Sequence, residues 1–368
     1  MIRYLTGLLF LIFILLNMSG CSKEAVKTTE VPLPNPAKAV SQTETGEQTL
    51  EVTDELKFVL QTHQMLTPLG DIPVPDGNPM NPEVLKLGQA LYFDPRLSGD
   101  NTRSCATCHD AGLGYGDGKA TFEKVDGTEG ARNSPTVINS GYYKTNFWDG
   151  RASSLEEQAL GPIENPNEMN QDLDALIAEL KAVEKYNEMF RNAFGSGITK
   201  DNIAKAIAAF ERQIVVKDTA YDQFLQGDNN ALNDQEVRGL ALFTGKAMCV
   251  TCHNGPNLSD NNYYNIGIES DDEGRFAVTK EPGDLGRIRT PGLYGITHTA
   301  PYMRDGSLKT LEEVIDYYNR GGDDHPNKSF FMKQFMPLGL IDSEKADLLA
   351  FLKALGGEPP VFEKPELP

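Results

Sequence analysis

The pentapeptide Cys105-Ala106-Thr107-Cys108-His109 returns later in the chain as Cys249-Val250-Thr251-Cys252-His253. C-x-x-C-H is the attachment pattern of c-type haem. Each cysteine can form a thioether to a haem vinyl group, and the adjacent histidine is placed to ligate the iron. A zinc site built from all four cysteines and a thioredoxin-like redox pair are the competing readings of C-x-x-C. Neither accounts for a histidine directly after both pairs in a chain with only five histidines. Two covalently bound haem c groups are therefore the expected cofactors. Cys105, Cys108 and His109 hold one, and Cys249, Cys252 and His253 hold the other.

Four of the five cysteines are spent on these motifs, leaving Cys21 and no disulfide. Cys21 follows Arg3 and a nearly all-apolar run from Leu5 to Leu16, too short for a comfortable membrane span. Residues 1–20 read as a secretory signal. Met18-Ser19-Gly20-Cys21 resembles a bacterial lipobox, with methionine where leucine is more usual. Cys21 is then the expected lipidation site and membrane anchor; the alternative is an ordinary cleaved signal with an incidental cysteine. Export fits the chemistry, because bacterial c-type haem is attached outside the cytoplasm. A periplasm-facing lipoprotein is expected, and Ser22-Lys23 carries no aspartate retention signal, which favours the outer membrane. Lys23 to Glu51 is rich in Pro, Thr, Glu and Gln, so residues 21–53 read as a flexible tether. The formal charge of −19 argues against nucleic acid and toward neutral or basic partners.

Beyond the tether the periodicity is helical. Asn81-Pro82-Glu83 reads as an N-cap followed by proline at the first helical position. The helix it opens contains Gly88-Gln89-Ala90-Leu91-Tyr92-Phe93, which parallels Gly239-Leu240-Ala241-Leu242-Phe243 behind the cap pair Asn233 and Glu236. Each precedes a C-x-x-C-H, so a helix plus haem loop has been duplicated. Leu173-Ile177-Leu180, Ile203-Ile207-Phe210-Ile214, Leu311-Val314-Ile315-Tyr318 and Ala346-Leu349-Leu352-Leu355 repeat at the spacing of buried helix faces. Residues 254–288 are a Gly- and Asp-rich loop. The expected fold is mainly α, with two cytochrome c-like haem domains in tandem, at 54–218 and 219–368.

Between these landmarks lie Arg132-Asn133-Ser134-Pro135-Thr136, Phe147-Trp148-Asp149-Gly150-Arg151 and Gly161-Pro162-Ile163-Glu164-Asn165-Pro166. Arg289-Thr290-Pro291, Thr299-Ala300-Pro301-Tyr302 and Asp305-Gly306-Ser307 follow. With two C-x-x-C-H motifs in this order, residues 80–356 resemble the bacterial di-haem cytochrome c peroxidase and MauG superfamily. The resemblance implies that hydrogen peroxide reacts at the first haem while the second passes electrons. It puts the distal glutamate, which moves a proton between the peroxide oxygens, on Glu168 and the distal glutamine on Gln158. Read without it, Glu168 is an exposed loop acid and Gln158 part of a solvated helix face. Trp148, the only tryptophan, falls between the haems as an electron relay; a core aromatic is the plainer reading. Asn133, Thr299 and Pro301 match the protein ligands of an inter-haem calcium ion, or a metal-free turn.

Two departures from the family pattern matter. Relatives that rest inactive carry a blocking histidine after the first motif, and none occurs between Asp110 and Arg132. The haem at His109 is therefore expected to be open or to hold only water. Peroxidases place a methionine seventeen residues after the proline of the calcium set; here that position is Tyr318, the MauG arrangement. A phenolate favours higher oxidation states than a thioether does. Met303, Met332 and Met336 are the alternative ligands, and Tyr317 is its neighbour. Arg304 stands where many relatives have histidine.

The leading expectation is a peroxidase drawing electrons from a small cytochrome c or copper protein (a cupredoxin), with homodimerisation left open. A MauG-like oxidase that stores a high oxidation state for a protein or unknown substrate is the alternative. A purely electron-transferring di-haem cytochrome is the third reading, and it needs no acid near either iron.

Overall fold

The computed structural model describes residues 40–42 and 48–368. The expected signal segment and Cys21 lie outside the described residues. Two short strands, Val40–Gln42 and Gln48–Leu50, form a small sheet, and helix begins at Asp54. Residues 50–368 form one compact unit. It is mainly helical, and its only other strands among the described residues are Tyr263–Tyr264 and Ile288–Arg289, paired antiparallel.

The caps read from the sequence are made. Asn81 accepts from the Val84 amide at the start of the Pro82–Tyr92 helix. Asn233 and Glu236 close a capping box on the Asp234–Thr244 helix. Each such box satisfies amides that helix geometry leaves without partners. The periodic segments become the helices Leu173–Lys181, Lys200–Glu211, Leu311–Arg320 and Asp342–Ala354. Helices that the periodicity did not single out include Glu184–Phe194, which buries Tyr186 and Phe190, and Ala220–Leu225; the stretch read as a loop holds the short helix Phe276–Thr279, and Gln158 lies on the helix Leu155–Glu164, capped by Ser154.

The duplicated glycines explain the architecture. A Cβ built on Gly88 would lie 2.0 Å from the Ala206 carbonyl oxygen and 2.8 Å from Phe210 Cβ. A Cβ on Gly239 would lie 2.1 Å from the Asp347 carbonyl oxygen and 2.6 Å from Phe351 Cβ. In both halves the helix before the motif therefore crosses a later helix in backbone contact, with the same one-turn pair of neighbours. Only a residue without a side chain permits that approach. Around the first crossing, Leu87, Leu91, Leu176, Phe190 and Ile207 form one buried cluster. Around the second, Val237, Leu240, Phe243, Leu348 and Phe351 belong to another, which also takes in Tyr92, Tyr115 and Phe210 from the first half.

The tail returns to the first half. Tyr115 donates through its hydroxyl to the Pro360 carbonyl (2.5 Å), Gln89 to that of Glu363 (2.9 Å), and Phe362 packs edge-on against Phe210. Gly88→Ala and Gly239→Ala are each expected to lower stability by about 1–3 kcal/mol, the usual cost of overpacking. Denaturant unfolding of the purified variants checks this, and wild-type midpoints would refute the crossing.

Candidate haem centres

The first motif sits on a single helical turn, Cys105–Cys108, with Ser104 and Thr107 capping each other. His109 follows immediately, and its Nδ1 meets the Tyr115 carbonyl at 3.0 Å. The second motif repeats this on a tighter turn, Cys249–Thr251, where His253 Nδ1 meets the Leu258 carbonyl at 3.1 Å. A backbone acceptor on Nδ1 fixes the tautomer and leaves Nε2 as the ligating nitrogen. Burial lowers the pKa of both imidazoles and so keeps them neutral, the form that binds a metal. The four cysteines are buried thiols pushed upward in pKa by burial, and they divide between two cavities. A shared four-cysteine zinc site is thereby ruled out.

The first cavity is lined by Cys105, Cys108 and His109, together with Gln158, Glu168 and Trp148. Glu168 is placed by the turn that closes the Leu155–Glu164 helix, where its amide donates to the Asn165 carbonyl. The Asn165 side-chain amide donates to its carboxylate (2.6 Å). Burial raises the pKa of Glu168; the Arg151 charge and the Asn165 bond pull the other way. It is half-buried and borders the cavity, not an exposed loop acid. Gln158 also borders the cavity from its helix and is not on a fully solvated face.

The second cavity is lined almost wholly by apolar groups around Cys249, Cys252 and His253. Tyr318, Met303, Met332 and Met336 all border it. The two adjacent tyrosines behave differently. Tyr317 is buried and donates to the Ile266 carbonyl (3.3 Å), whereas the Tyr318 hydroxyl makes no hydrogen bond among the described residues. Burial first, then the neighbouring cysteines, push the Tyr318 pKa up.

Trp148 and Arg289 border both cavities. The indole Nε1 donates to the Asn133 carbonyl (2.9 Å), and the Trp148 carbonyl accepts from the Arg289 amide (2.8 Å). Beside them runs a charge network that sequence reading missed. Arg132 grips Asp272 through two nitrogens (2.8 and 2.7 Å) and Asp149 through the third (2.7 Å). Asp272 also lies 3.8 Å from Arg304, which is 1 % exposed. Arg132 lines the first cavity and Arg304 the second, so Asp272 joins the two. The partners lie 140 residues apart, and no local pattern signals them.

These features fit haem. Each cavity offers two thiols and a neutral imidazole at one wall. In the second, the Nε atoms of Arg289 and Arg304 are buried without a hydrogen-bond partner, donors suited to the carboxylates that haem carries. The fold and site define a c-type cytochrome built for two haems. Residues 82–230 match the family described as di-haem cytochrome c peroxidase. The chain is 40% identical to cytochrome-c peroxidase IdrP1 of Pseudomonas sp. strain SCT, over 83% of this chain and 89% of that protein. It is 40% identical to the methylamine utilization protein MauG of Methylorubrum extorquens, covering 81% and 85% of the two. A solved MauG-like protein associated with microbial copper homeostasis superposes with a TM-score of 0.72 at 33% identity, covering 80% of this chain and 95% of that one. This chain belongs to the di-haem cytochrome c peroxidase family.

Proposed function

We propose that this oxidoreductase reduces hydrogen peroxide to water at the first motif, with electrons that enter through the second. The observation that carries the reading is the asymmetry of the two cavities. Both present the same attachment set, but only the first adds a half-buried carboxyl, Glu168, and a side-chain amide, Gln158. Haem iron, when bound, would supply the two-electron redox chemistry that splits the O–O bond. His109 and His253 would hold the irons, and the cysteine pairs the rings. Glu168 takes the proton from one peroxide oxygen and delivers it to the other, while Gln158 orients the substrate. Trp148, which borders both cavities, relays electrons between them. The donor is a small cytochrome c or cupredoxin, met by a strongly acidic chain.

The same reading divides the body into two cytochrome c-like domains near residue 218, supported by the two matching helix crossings. It also assigns a calcium ion to Asn133, Thr299 and Pro301. Asn133 spends its amide nitrogen on the Lys119 carbonyl, leaving Oδ1 as an acceptor, and its backbone amide ties its loop to that of Arg304 (2.7 Å). Cleavage after residue 20, lipidation at Cys21 and a periplasm-facing location complete it.

The unpartnered Tyr318 hydroxyl favours a second reading, a MauG-like oxidase acting on a protein or other substrate. Mixing the diferric and the reduced protein with stoichiometric peroxide, and assaying turnover with reduced cytochrome c, separates the two. Fast turnover is expected. A long-lived oxidised state with poor turnover would favour the MauG-like reading, and no reaction would refute both.

Glu168→Gln is expected to lower kcat/KM by about 10²- to 10⁴-fold, the usual worth of a general base. Because burial raises the Glu168 pKa and the base must be ionised, activity should fall on the acid side at a pH above the ordinary carboxylate range. That limb should vanish in the variant; a retained limb would assign it elsewhere. Tyr318→Phe should alter the resting ferric spectrum of the second haem and spare the first. An unchanged spectrum would return the ligand to one of the methionines.

A further inference from the structure

Glu211 has no part in the reading above. It ends the Lys200–Glu211 helix and borders the first cavity, yet is only 5 % exposed. Its carboxyl makes no hydrogen bond or ion pair among the described residues. The adjacent Arg212 gives it none, since both terminal nitrogens of that guanidinium are held by Glu156 (2.7 and 3.0 Å). A buried carboxyl without a partner is costly to ionise.

The charged and titratable groups that face it are few. Tyr92 comes from the Pro82–Tyr92 helix, Glu156 from the Leu155–Glu164 helix, Cys105 from the motif and Arg212 from its own strand of chain. Tyr92 is engaged on the His109 carbonyl (2.8 Å), and Cys105 is an attachment point. The remaining charges around the cavity are Arg103, Glu123, Arg132, Arg151, Glu168 and Arg289. Burial, with a smaller push from Glu156 and a pull from Arg212, moves the Glu211 pKa up to about 8.

The charge that changes during turnover beside this carboxyl is that of the cofactor attached at Cys105. An added electron makes the cavity more negative and favours the protonated acid; its removal favours the carboxylate. We propose that Glu211 is the redox-linked proton acceptor of the first haem site. When one electron, passed on from the second site, reduces the cofactor that Cys105 and Cys108 would hold, one proton from water forms an O–H bond on the Glu211 carboxylate. When the electron leaves, that bond breaks and the proton returns to water. No other bond changes. The electron thus arrives with its own counter-charge in a cavity that solvent screens poorly. The proposal rests on the reading of a haem at the first motif.

The full-length holoprotein tests it. Haem is first counted by the pyridine haemochrome spectrum, and each haem is then titrated spectroelectrochemically from mildly acidic to mildly alkaline pH. The potential of the first haem should fall with pH across neutrality, by up to about 59 mV for each tenfold fall in proton activity, the one-electron limit. In Glu211→Gln that slope should vanish for the first haem while the second haem keeps its wild-type behaviour. An equal slope in the variant overturns the proposal. Redox-difference infrared spectra of the wild type with ¹³C-glutamate give a second measurement should the variant not fold. Reduction should bring up a protonated-glutamate carbonyl band that persists in Glu168→Gln, and its absence overturns the proposal. A protein without haem overturns the cofactor reading and this one together. A protein with haem but no proton linkage overturns this one alone.

Discussion

Two helix crossings set the positions of everything else. Gly88 against Ala206 and Gly239 against Asp347 bring backbones so close that a methyl carbon would overlap a carbonyl oxygen. A crossing this tight leaves little freedom in angle or register. The helix that follows the cap therefore delivers its motif to a defined place. Tyr92, at the end of the first such helix, reaches the His109 carbonyl directly. The attachment loops are short and weakly regular in themselves, one turn of helix and one tighter turn. They inherit their precision from the crossings.

From that common frame the halves diverge in polarity. The first cavity gathers carboxyls, guanidinia and amides, and the second gathers methionines, leucines and isoleucines around Tyr264, Tyr302 and Tyr318. Low polarity makes a charge expensive and polar neighbours make it negotiable. Chemistry that moves protons belongs in the first setting, and charge held steady for electron passage belongs in the second. The Arg132–Asp272–Arg304 network stands between them with two guanidinia on one carboxylate. With Asp149 on the remaining nitrogen of Arg132, two guanidinia face two carboxylates and the set is balanced.

Much of this was legible in the residues. Cap chemistry is local, so Asn81 and Asn233 could be read from spacing alone, and they cap as expected. The duplicated glycine helix was visible too, because both copies precede the same motif. Tyr318 and Tyr317, neighbours in sequence, differ in their hydrogen bonding, one hydroxyl unengaged among the described residues and the other on Ile266. What stayed hidden depends on distant partners. Nothing near Gly88 names Ala206, and nothing near Arg132 names Asp272. Glu211 carries no local signal of its burial, because burial of a helix terminus is decided by what packs over it. The Glu184–Phe194 helix was missed for a related reason: it has a low apolar content, and its buried face is two aromatics and an alanine.

The tail gives Tyr115 an unusual double duty. Its carbonyl faces the His109 ring, and its hydroxyl is fastened to the Pro360 carbonyl. A segment from the far end of the chain thus helps hold the loop that aims the first imidazole, while His253 leans on Leu258 within its own loop. The two centres consequently differ in how much of the polypeptide must be in place before they are finished. The second imidazole takes its acceptor from nearby sequence, although its motif still rests on the crossing at Asp347. The first waits on residues 360–362, the last stretch to emerge during synthesis among those that touch it.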